Sequence, residues 1–143
     1  MKLPKFETLD LSCDARGVLT VALNRPEKRN ALSGQMIADL IEFAQTVSAM
    51  DAVRVVVLRG RGHVFCAGGD LEWMKAQIAA DRAGRMAEAH KLAQMLKRLN
   101  TLPKPLIGVL QGGAYGGGVG LAAICDVAIA EDNTKFGLTE TRL

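Results

Sequence analysis

The chain has 143 residues, a length typical of one domain, and its 49% hydrophobic and 23% charged residues exclude a disordered or fibrous protein. The net charge of +3 is mildly basic, and no run of Lys and Arg is dense enough to indicate nucleic-acid binding. Three cysteines without a CxxC pair indicate neither a disulfide framework nor a zinc site and fit a reducing compartment. Because no secretory signal and no membrane-length apolar run is visible, we expect a cytoplasmic protein that does not cross a membrane.

The first half of the chain predicts a β-hairpin, a helix and a buried strand, in that order. Residues 6–11 and 18–23 alternate apolar and polar side chains on either side of a glycine-containing turn, which is typical of a hairpin. After a polar loop that contains proline, Ser33 is the predicted N-cap of a helix that runs to about residue 50. Residues 53–58 form a β-branched run, typical of a strand buried on both faces.

Two helices are predicted after a loop at residues 59–70. A short helix begins at Leu71, and Asp81 is the predicted cap of a longer amphipathic helix that extends to about residue 99. Pro103 and Pro105 end this helix. The side chains that we expect to face inward from the longer helix are Met86, Ala89, Leu92, Ala93, Leu96 and Leu99.

The remaining segments complete an alternation of strands and helices. Residues 106–110 predict a buried strand, residues 116–125 a helix despite their glycines, and residues 127–130 a further strand. The predicted order β-β-α-β-α-α-β-α-β argues for an α/β fold. Since the sequence stops inside a segment that reads as continuing, we expect residues 1–143 to be one domain that is truncated at its C-terminal end.

Two glycine-rich turns are the most informative feature of the sequence. Residues 65–70 (FCAGGD) and 116–118 (GGG) each follow a predicted buried strand, as ligand-binding turns in α/β sheets do. Glycine lets the backbone approach a ligand closely, and N–H groups at a helix start have no intrahelical partner. With one carboxylate downstream, Glu140, the turns suggest a site that polarises a carbonyl group and moves a proton. Tight packing of helix against strand is the structural alternative.

Other site types fit the sequence less well. A dinucleotide fingerprint that starts at Gly116 fails because Leu121 stands where the third glycine of the motif is required, and no Gly-Lys dipeptide exists for a Walker loop. No G-x-S-x-G elbow is present. Cys66 with His63 leaves a cysteine hydrolase open, although such a cysteine is more often a buried filler. Basic residues that flank the turns either meet phosphates or are solvated surface charges: Arg25, Lys28, Arg29, Arg59 and Arg61.

Four segments, taken in order, resemble the enoyl-CoA hydratase/isomerase family, also called the crotonase superfamily. They are residues 24–32 (NRPEKRNAL), 65–71 (FCAGGDL), 112–118 (GGAYGGG), and 125–130 (CDVAIA) with Phe136, Gly137 and Glu140. The resemblance implies a crotonase-like spiral of ββα units, of which this chain covers the N-terminal part without the C-terminal helices. It also implies a homotrimer or a dimer of trimers for the full-length protein.

The resemblance also assigns roles to residues of the site. It implies that the N–H groups of Gly69 and Gly117 form an oxyanion hole for a thioester enolate and that Glu140 is the acid/base. Coenzyme A enters as part of an acyl-CoA substrate, so no separate cofactor and no metal is expected. The substrate-binding positions that it implies are Lys28, Arg29, Ala31, Ala67, Gly68, Asp70, Leu71 and Gly116.

The reaction type depends on position 120. Hydratases of the family commonly use two glutamates, of which the second matches Glu140 and the first matches Gly120, which cannot titrate. A single carboxylate suits an isomerase. Residues 70–74 and 117–121, however, look most like bacterial members that hydrate branched glutaconyl-CoA substrates in leucine or isoprenoid breakdown. We therefore expect an enoyl-CoA hydratase of the methylglutaconyl-CoA type, with an enoyl-CoA isomerase, a non-catalytic acyl-CoA-binding member and an unrelated α/β scaffold as alternatives.

Overall fold

The structure is a computed structural model that describes residues 1–142. Its strands are β1 (Leu9–Cys13), β2 (Val18–Leu23), β3 (Val55–Gly60), β4 (Leu106–Leu110), β5 (Gly113–Tyr115), β6 (Val127–Ala130) and β7 (Lys135–Gly137). Its α-helices are α1 (Gly34–Ser48), α2 (Leu71–Ala79), α3 (Arg82–Asn100) and α4 (Gly117–Ala123). Short 3₁₀ turns cover Pro26–Lys28 and Thr139–Arg142.

The main sheet has five strands in the order β1-β2-β3-β4-β6. The predicted hairpin forms its only antiparallel pair within the described residues, and β2, β3, β4 and β6 are parallel neighbours. Parallel neighbours need crossover connections, which α1, the α2–α3 pair and α4 supply. The α/β class predicted from the sequence is therefore confirmed.

One face of the main sheet builds the core against α1 and the second half of α3. Alternate side chains of β2 and β3, among them Leu19 and Leu58, are fully buried, and they share one cluster with Phe43 of α1 and Met95 of α3. The predicted cap of α1 is present, because the Ser33 hydroxyl accepts a hydrogen bond from the Met36 N–H at 3.1 Å. Helix α1 thus starts at a fixed point directly after the loop that leads to the site.

The predicted inward face of α3 is wrong in its first half. Met86 is 61% exposed and Ala89 is also exposed, and in the second half Ala93 is exposed as well, whereas Met95 and Leu99 are the buried residues. Helical periodicity indicates which side chains share a face of α3, but it does not show how far along its length the helix contacts the core. Only the second half of α3 does so. In β3, which begins two residues later than predicted, side chains are buried on one face and alternate residues on the other face are only half-buried.

A second, two-stranded sheet was not predicted. Strands β5 and β7 pair in parallel, with Gly113 opposite Lys135 and Tyr115 opposite Gly137. Each has three residues and contains glycine, so neither carries a periodic signal. This small sheet brings the segment after β7 to the start of α4.

Part of the described surface is apolar. In β6, Val127 and Ile129 are 53% and 58% exposed. No helix within residues 1–142 combines the length and the apolar character that crossing a bilayer requires.

Candidate active site

The two glycine turns lie side by side. Cys66 and Ala114 form a parallel bridge, and the Tyr115 N–H donates to the Cys66 carbonyl at 3.0 Å. Gly68 has φ +96°, and a Cβ built on it would lie 2.9 Å from the Tyr115 carbonyl oxygen and 3.8 Å from the Cα of Gly116. The backbone of the second turn therefore excludes a side chain at position 68. The two segments stay in contact up to Gly68 and Gly116.

The next residue of each turn presents an N–H group without a partner. Gly69 and Gly117 are each the third residue after the bridged pair, and each directly follows a glycine of the close contact in which a Cβ built on Gly68 would lie 3.8 Å from the Cα of Gly116. Within residues 1–142, neither of their N–H groups donates a hydrogen bond to another part of the chain. Gly117 is the first residue of α4, whose N–H has no intrahelical acceptor. Two such donors can stabilise an oxygen that gains negative charge.

The carboxylate of Glu140 lies against the second turn. Gly116 has φ +50° and ψ −116°, and a Cβ built on it would overlap Oε1 of Glu140 and lie 3.0 Å from its Cδ. The Gly116 N–H donates to the Gly137 carbonyl at 2.9 Å, which fixes the segment that carries Glu140. The carboxylate is exposed and, among the described residues, accepts no hydrogen bond. The Glu140 carboxylate, which is available as a proton acceptor, thus lies against the residue that precedes the Gly117 N–H donor.

The loop after β2 is bonded along its length to the first glycine turn. The Ala67 N–H donates to the Arg29 carbonyl at 3.0 Å. The Leu32 N–H donates to the Gly68 carbonyl at 2.7 Å, and the Leu32 carbonyl accepts from the Asp70 N–H at 3.0 Å. The predicted coenzyme A-binding residues therefore approach the predicted oxyanion donors through backbone contacts.

The charged ends of this loop face solvent. The side chains of Lys28 and Arg29 are exposed, in and directly after the 3₁₀ turn. Ala31 and Ala67 are half-buried beside them. Leu71, the first residue of α2, is 68% exposed. Backbone hydrogen bonds thus join the loop at residues 28–32 to the turn at residues 67–70, while the charged side chains at its start and Leu71 beyond it are exposed.

Asp70 organises the start of α2. Its Oδ1 accepts the Trp73 N–H at 3.0 Å, and its Oδ2 accepts two hydrogen bonds from Arg25 at 3.2 Å. Arg25 also donates to the Ala31 carbonyl at 2.8 Å. Burial raises the pKa of Asp70, but the Trp73 N–H and the Arg25 guanidinium outweigh that effect, so its pKa lies below the ordinary value of 3.8. The carboxylate is thus engaged in holding the turn that contains Gly69.

Asn30 is a buried polar residue for which the sequence analysis gave no role. Its Oδ1 accepts the Arg25 N–H at 2.9 Å, and its Nδ2 donates to the carbonyls of Arg61 and Val64 at 2.8 and 2.9 Å. Asn30 has φ +54°, a conformation that asparagine tolerates better than most residues. Its amide joins the loop after β2 to the loop that leads into the first glycine turn. The presence of Asn30 in the segment at residues 24–32 that resembles the family was the only available signal.

Trp73 and Met74 lie against Gly69. A Cβ built on Gly69 would lie 3.4 Å from the Met74 sulfur and 3.9 Å from the Trp73 ring. The indole Nε1 donates to Glu88 of α3 at 3.1 Å. Hydrogen bonds from Lys91 and Trp73 lower the pKa of Glu88. Glu88 was not predicted, because nothing in its helical spacing distinguishes it from a surface glutamate.

Gly120 faces an apolar neighbour. A Cβ built on it would lie 3.5 and 3.6 Å from the two Cδ atoms of Leu96, which is ordinary contact. Position 120 therefore has room for the start of a side chain but supplies no titratable group.

A cysteine nucleophile is not supported by the structure. Cys66 is fully buried, and burial raises the pKa of its thiol to about 11, so it stays protonated at neutral pH. The carbonyl of Cys66 lies 2.5 Å from a Cβ built on Gly118, so this residue packs α4 closely against the first turn. Among residues 1–142, no cluster of three His, Cys, Asp or Glu side chains suits a metal ion.

The mixed α/β fold, with two glycine turns side by side and a carboxylate facing one of them, is similar to solved structures of the enoyl-CoA hydratase/isomerase (crotonase) type. The family model described as enoyl-CoA hydratase/isomerase matches residues 14–143, and the chain belongs to that family. A solved enoyl-CoA hydratase from Shewanella pealeana is similar to it with a TM-score of 0.92 and 33% identity over 96% of this chain and 52% of that one.

Curated relatives carry two kinds of enzyme name. A probable enoyl-CoA hydratase of Mycobacterium leprae is 41% identical over 85% of this chain and 47% of its own length. The mouse mitochondrial Δ(3,5)-Δ(2,4)-dienoyl-CoA isomerase is 33% identical over 94% of this chain and 44% of its own length. The chain thus spans about half the length of the relatives that it matches.

Proposed function

We propose that the protein is an enoyl-CoA hydratase that adds water to an α,β-unsaturated acyl-CoA thioester, with a branched chain of the 3-methylglutaconyl type as the specific candidate. The observation that carries this proposal is the pair of unpartnered N–H groups at Gly69 and Gly117. The Glu140 carboxylate lies against Gly116, the residue directly before Gly117. Hydrogen-bond donors that are already positioned can stabilise the negative charge of an enolate oxygen as it forms, and a nearby carboxylate can move the proton. This arrangement suits enolate chemistry better than ligand binding alone.

In the proposed reaction, the thioester carbonyl oxygen lies between the N–H groups of Gly69 and Gly117. The oxygen of a water molecule attacks the β-carbon, and the electron pair of the double bond moves to the carbonyl oxygen as an enolate. Glu140 takes a proton from the water and returns a proton to the α-carbon, which restores the thioester. Loss of one such N–H donor typically costs about 3–4 kcal/mol of transition-state stabilisation.

We propose that the substrate binds along the loop at residues 28–31 and the turn at residues 67–71. Lys28 and Arg29 meet the phosphates of coenzyme A, which their exposed positive charges support, and Ala31 lies toward the adenine end. Residues 67–71 and Gly116 line the route of the acyl chain. Because the Asp70 carboxylate is held by Arg25 and the α2 N-terminus, its contribution to this route comes through its backbone.

An isomerase is the second candidate, and the apolar contact between position 120 and Leu96 favours it. Without a second carboxylate, Glu140 alone can move a proton from one carbon of the acyl chain to another. A non-catalytic acyl-CoA-binding member is the third candidate, and it rests on the same missing carboxylate.

Assembly is also a proposal. We propose that the full-length protein forms a homotrimer or a dimer of trimers, as its resemblance to the family implies. Light scattering coupled to gel filtration measures this directly. The cytoplasmic location stays a prediction.

The reaction is tested with protein from the longest reading frame that contains residues 1–143. It is incubated with enoyl-CoA thioesters, among them 3-methylglutaconyl-CoA, and product mass and double-bond position are followed. Gain of one water supports the hydratase. An unchanged mass with a moved double bond makes the protein an isomerase and refutes the hydratase, and acyl-CoA binding without turnover refutes both enzymes. Absence of any thioester binding refutes all three candidates.

A further inference from the structure

Leu32 contacts both of the glycine turns that carry the candidate oxyanion donors. Its backbone brackets Gly69, because its N–H donates to the carbonyl of Gly68 at 2.7 Å and its carbonyl accepts from the N–H of Asp70 at 3.0 Å. The peptide group that contains the Gly69 N–H and the peptide group that follows it are therefore both hydrogen-bonded to Leu32.

The side chain of Leu32 reaches the other donor. A Cβ built on Gly117 would lie 2.6 Å from Cδ1 of Leu32 but 4.0 Å from its Cγ. The terminal methyl group of Leu32 thus occupies the space beside Gly117, and the rest of the side chain does not.

Leu32 is itself held rigidly. It is 2% exposed, and it directly precedes Ser33, the N-cap of α1. Leu32 and Ile37 occupy the two positions of a hydrophobic staple, and both are members of the same buried cluster. The residue is therefore a fixed reference point between the two turns.

We propose that Leu32 is a positioning residue whose side-chain length sets the separation of the Gly69 and Gly117 N–H groups. This inference rests on the proposed enolate chemistry but concerns a residue that touches no reacting atom. A hole for an oxyanion must present both donors to one oxygen, so a shift of one turn relative to the other weakens both hydrogen bonds.

The test is a double-mutant cycle between Leu32→Val and Gly117→Ala. Valine lacks the terminal methyl group that abuts Gly117, and an alanine at position 117 would overlap that methyl group in the wild-type background. Each single variant is expected to lower kcat by about 10-fold with little change in KM, because a misplaced donor weakens the transition state more than substrate binding. In the double variant the alanine methyl group no longer overlaps a leucine methyl group, so we expect the loss of kcat to be clearly smaller than the product of the two single losses.

Leu19→Val is the matched control, because Leu19 is also fully buried and its strand neighbours are Cys13 and Val56, remote from both turns. It is expected to lower the free energy of unfolding without lowering kcat. A second readout is the ultraviolet absorbance of bound acetoacetyl-CoA, which reports the fraction of this thioester held as its enolate. That fraction is expected to fall in each single variant, to stay unchanged in the control and to fall less in the double variant than the two single losses combined.

The outcomes separate the inference from the proposed function. If the wild type turns over enoyl-CoA or stabilises the enolate but Leu32→Val behaves like Leu19→Val, the role of Leu32 is refuted and the proposed function stands. Additive losses of kcat in the double variant refute it as well. If the wild type neither turns over any thioester nor stabilises the enolate, the proposed function fails and the role of Leu32 falls with it.

Discussion

Replacement of Gly116 by alanine is expected to separate Glu140 from the oxyanion donors. A Cβ at this position would overlap Oε1 of Glu140 and lie 3.0 Å from Cδ, so the carboxylate must retreat by about 1 Å or more to reach ordinary contact. A displacement of that size can lower turnover by about 100-fold, or about 2.7 kcal/mol in activation free energy. The φ of +50° adds strain of about 1–3 kcal/mol to the folded state.

The assay compares kcat and KM of Gly116→Ala with those of the wild type on whichever thioester the wild type turns over. Circular dichroism and thermal unfolding check that the variant is folded, and calorimetry checks that it binds the acyl-CoA. Gly34→Ala is the control, because a Cβ there would lie 3.5 Å from Trp73, which is ordinary contact. A folded Gly116→Ala variant with wild-type kcat would refute the reasoning, because Glu140 could then act without its observed position.

Substitutions at Glu140 and Asp70 and labelling of Cys66 test other parts of the site. Glu140→Gln removes the proton acceptor, so turnover should fall by about 10²–10⁴-fold while calorimetry shows unchanged acyl-CoA affinity; normal turnover contradicts this. The pKa of Asp70 is lowered, so its carboxylate stabilises the fold above the ordinary value of 3.8, and this stabilisation is lost as the pH falls through the folded-state pKa. The free energy of unfolding in urea should therefore fall more steeply in acid for the wild type than for Asp70→Asn, and parallel profiles contradict this. The Cys66 thiol should resist alkylation at about pH 8 until the protein is unfolded, as followed by peptide mass spectrometry, and rapid native labelling contradicts this.

Much of the fold could be predicted because its elements carry local signals. The hairpin alternates around the turn that contains Gly17, and the caps of α1, α2 and α3 are Ser33, Asp70 and Asp81, each of which accepts a hydrogen bond from its own helix. These signals depend on a few neighbouring residues and survive in a single sequence. The burial of α3 could not be predicted in the same way, because Met86 and Met95 are equally apolar and only their distance from the core separates them.

The site was only partly predictable for a related reason. The glycine turns and Glu140 were found by pattern and resemblance, but their proximity depends on the β5–β7 pair, whose three-residue strands carry no periodic signal. Asn30 and Leu32 act through hydrogen bonds and contacts with residues more than thirty positions away. No local pattern reports such long-range pairing, so their contributions became visible only in three dimensions.

Position 120 bears on the choice of reaction more than Glu140 does. Both proposed reactions use the N–H groups of Gly69 and Gly117 and one carboxylate, so these residues do not distinguish the proposals. What differs is whether a water molecule can be held beside the acyl chain. Leu96, the neighbour of Gly120, offers no hydrogen bond, so of these two positions only Glu140 carries a proton acceptor. In the proposed hydratase Glu140 therefore both activates the water and protonates the α-carbon, and we expect both additions on one face of the double bond.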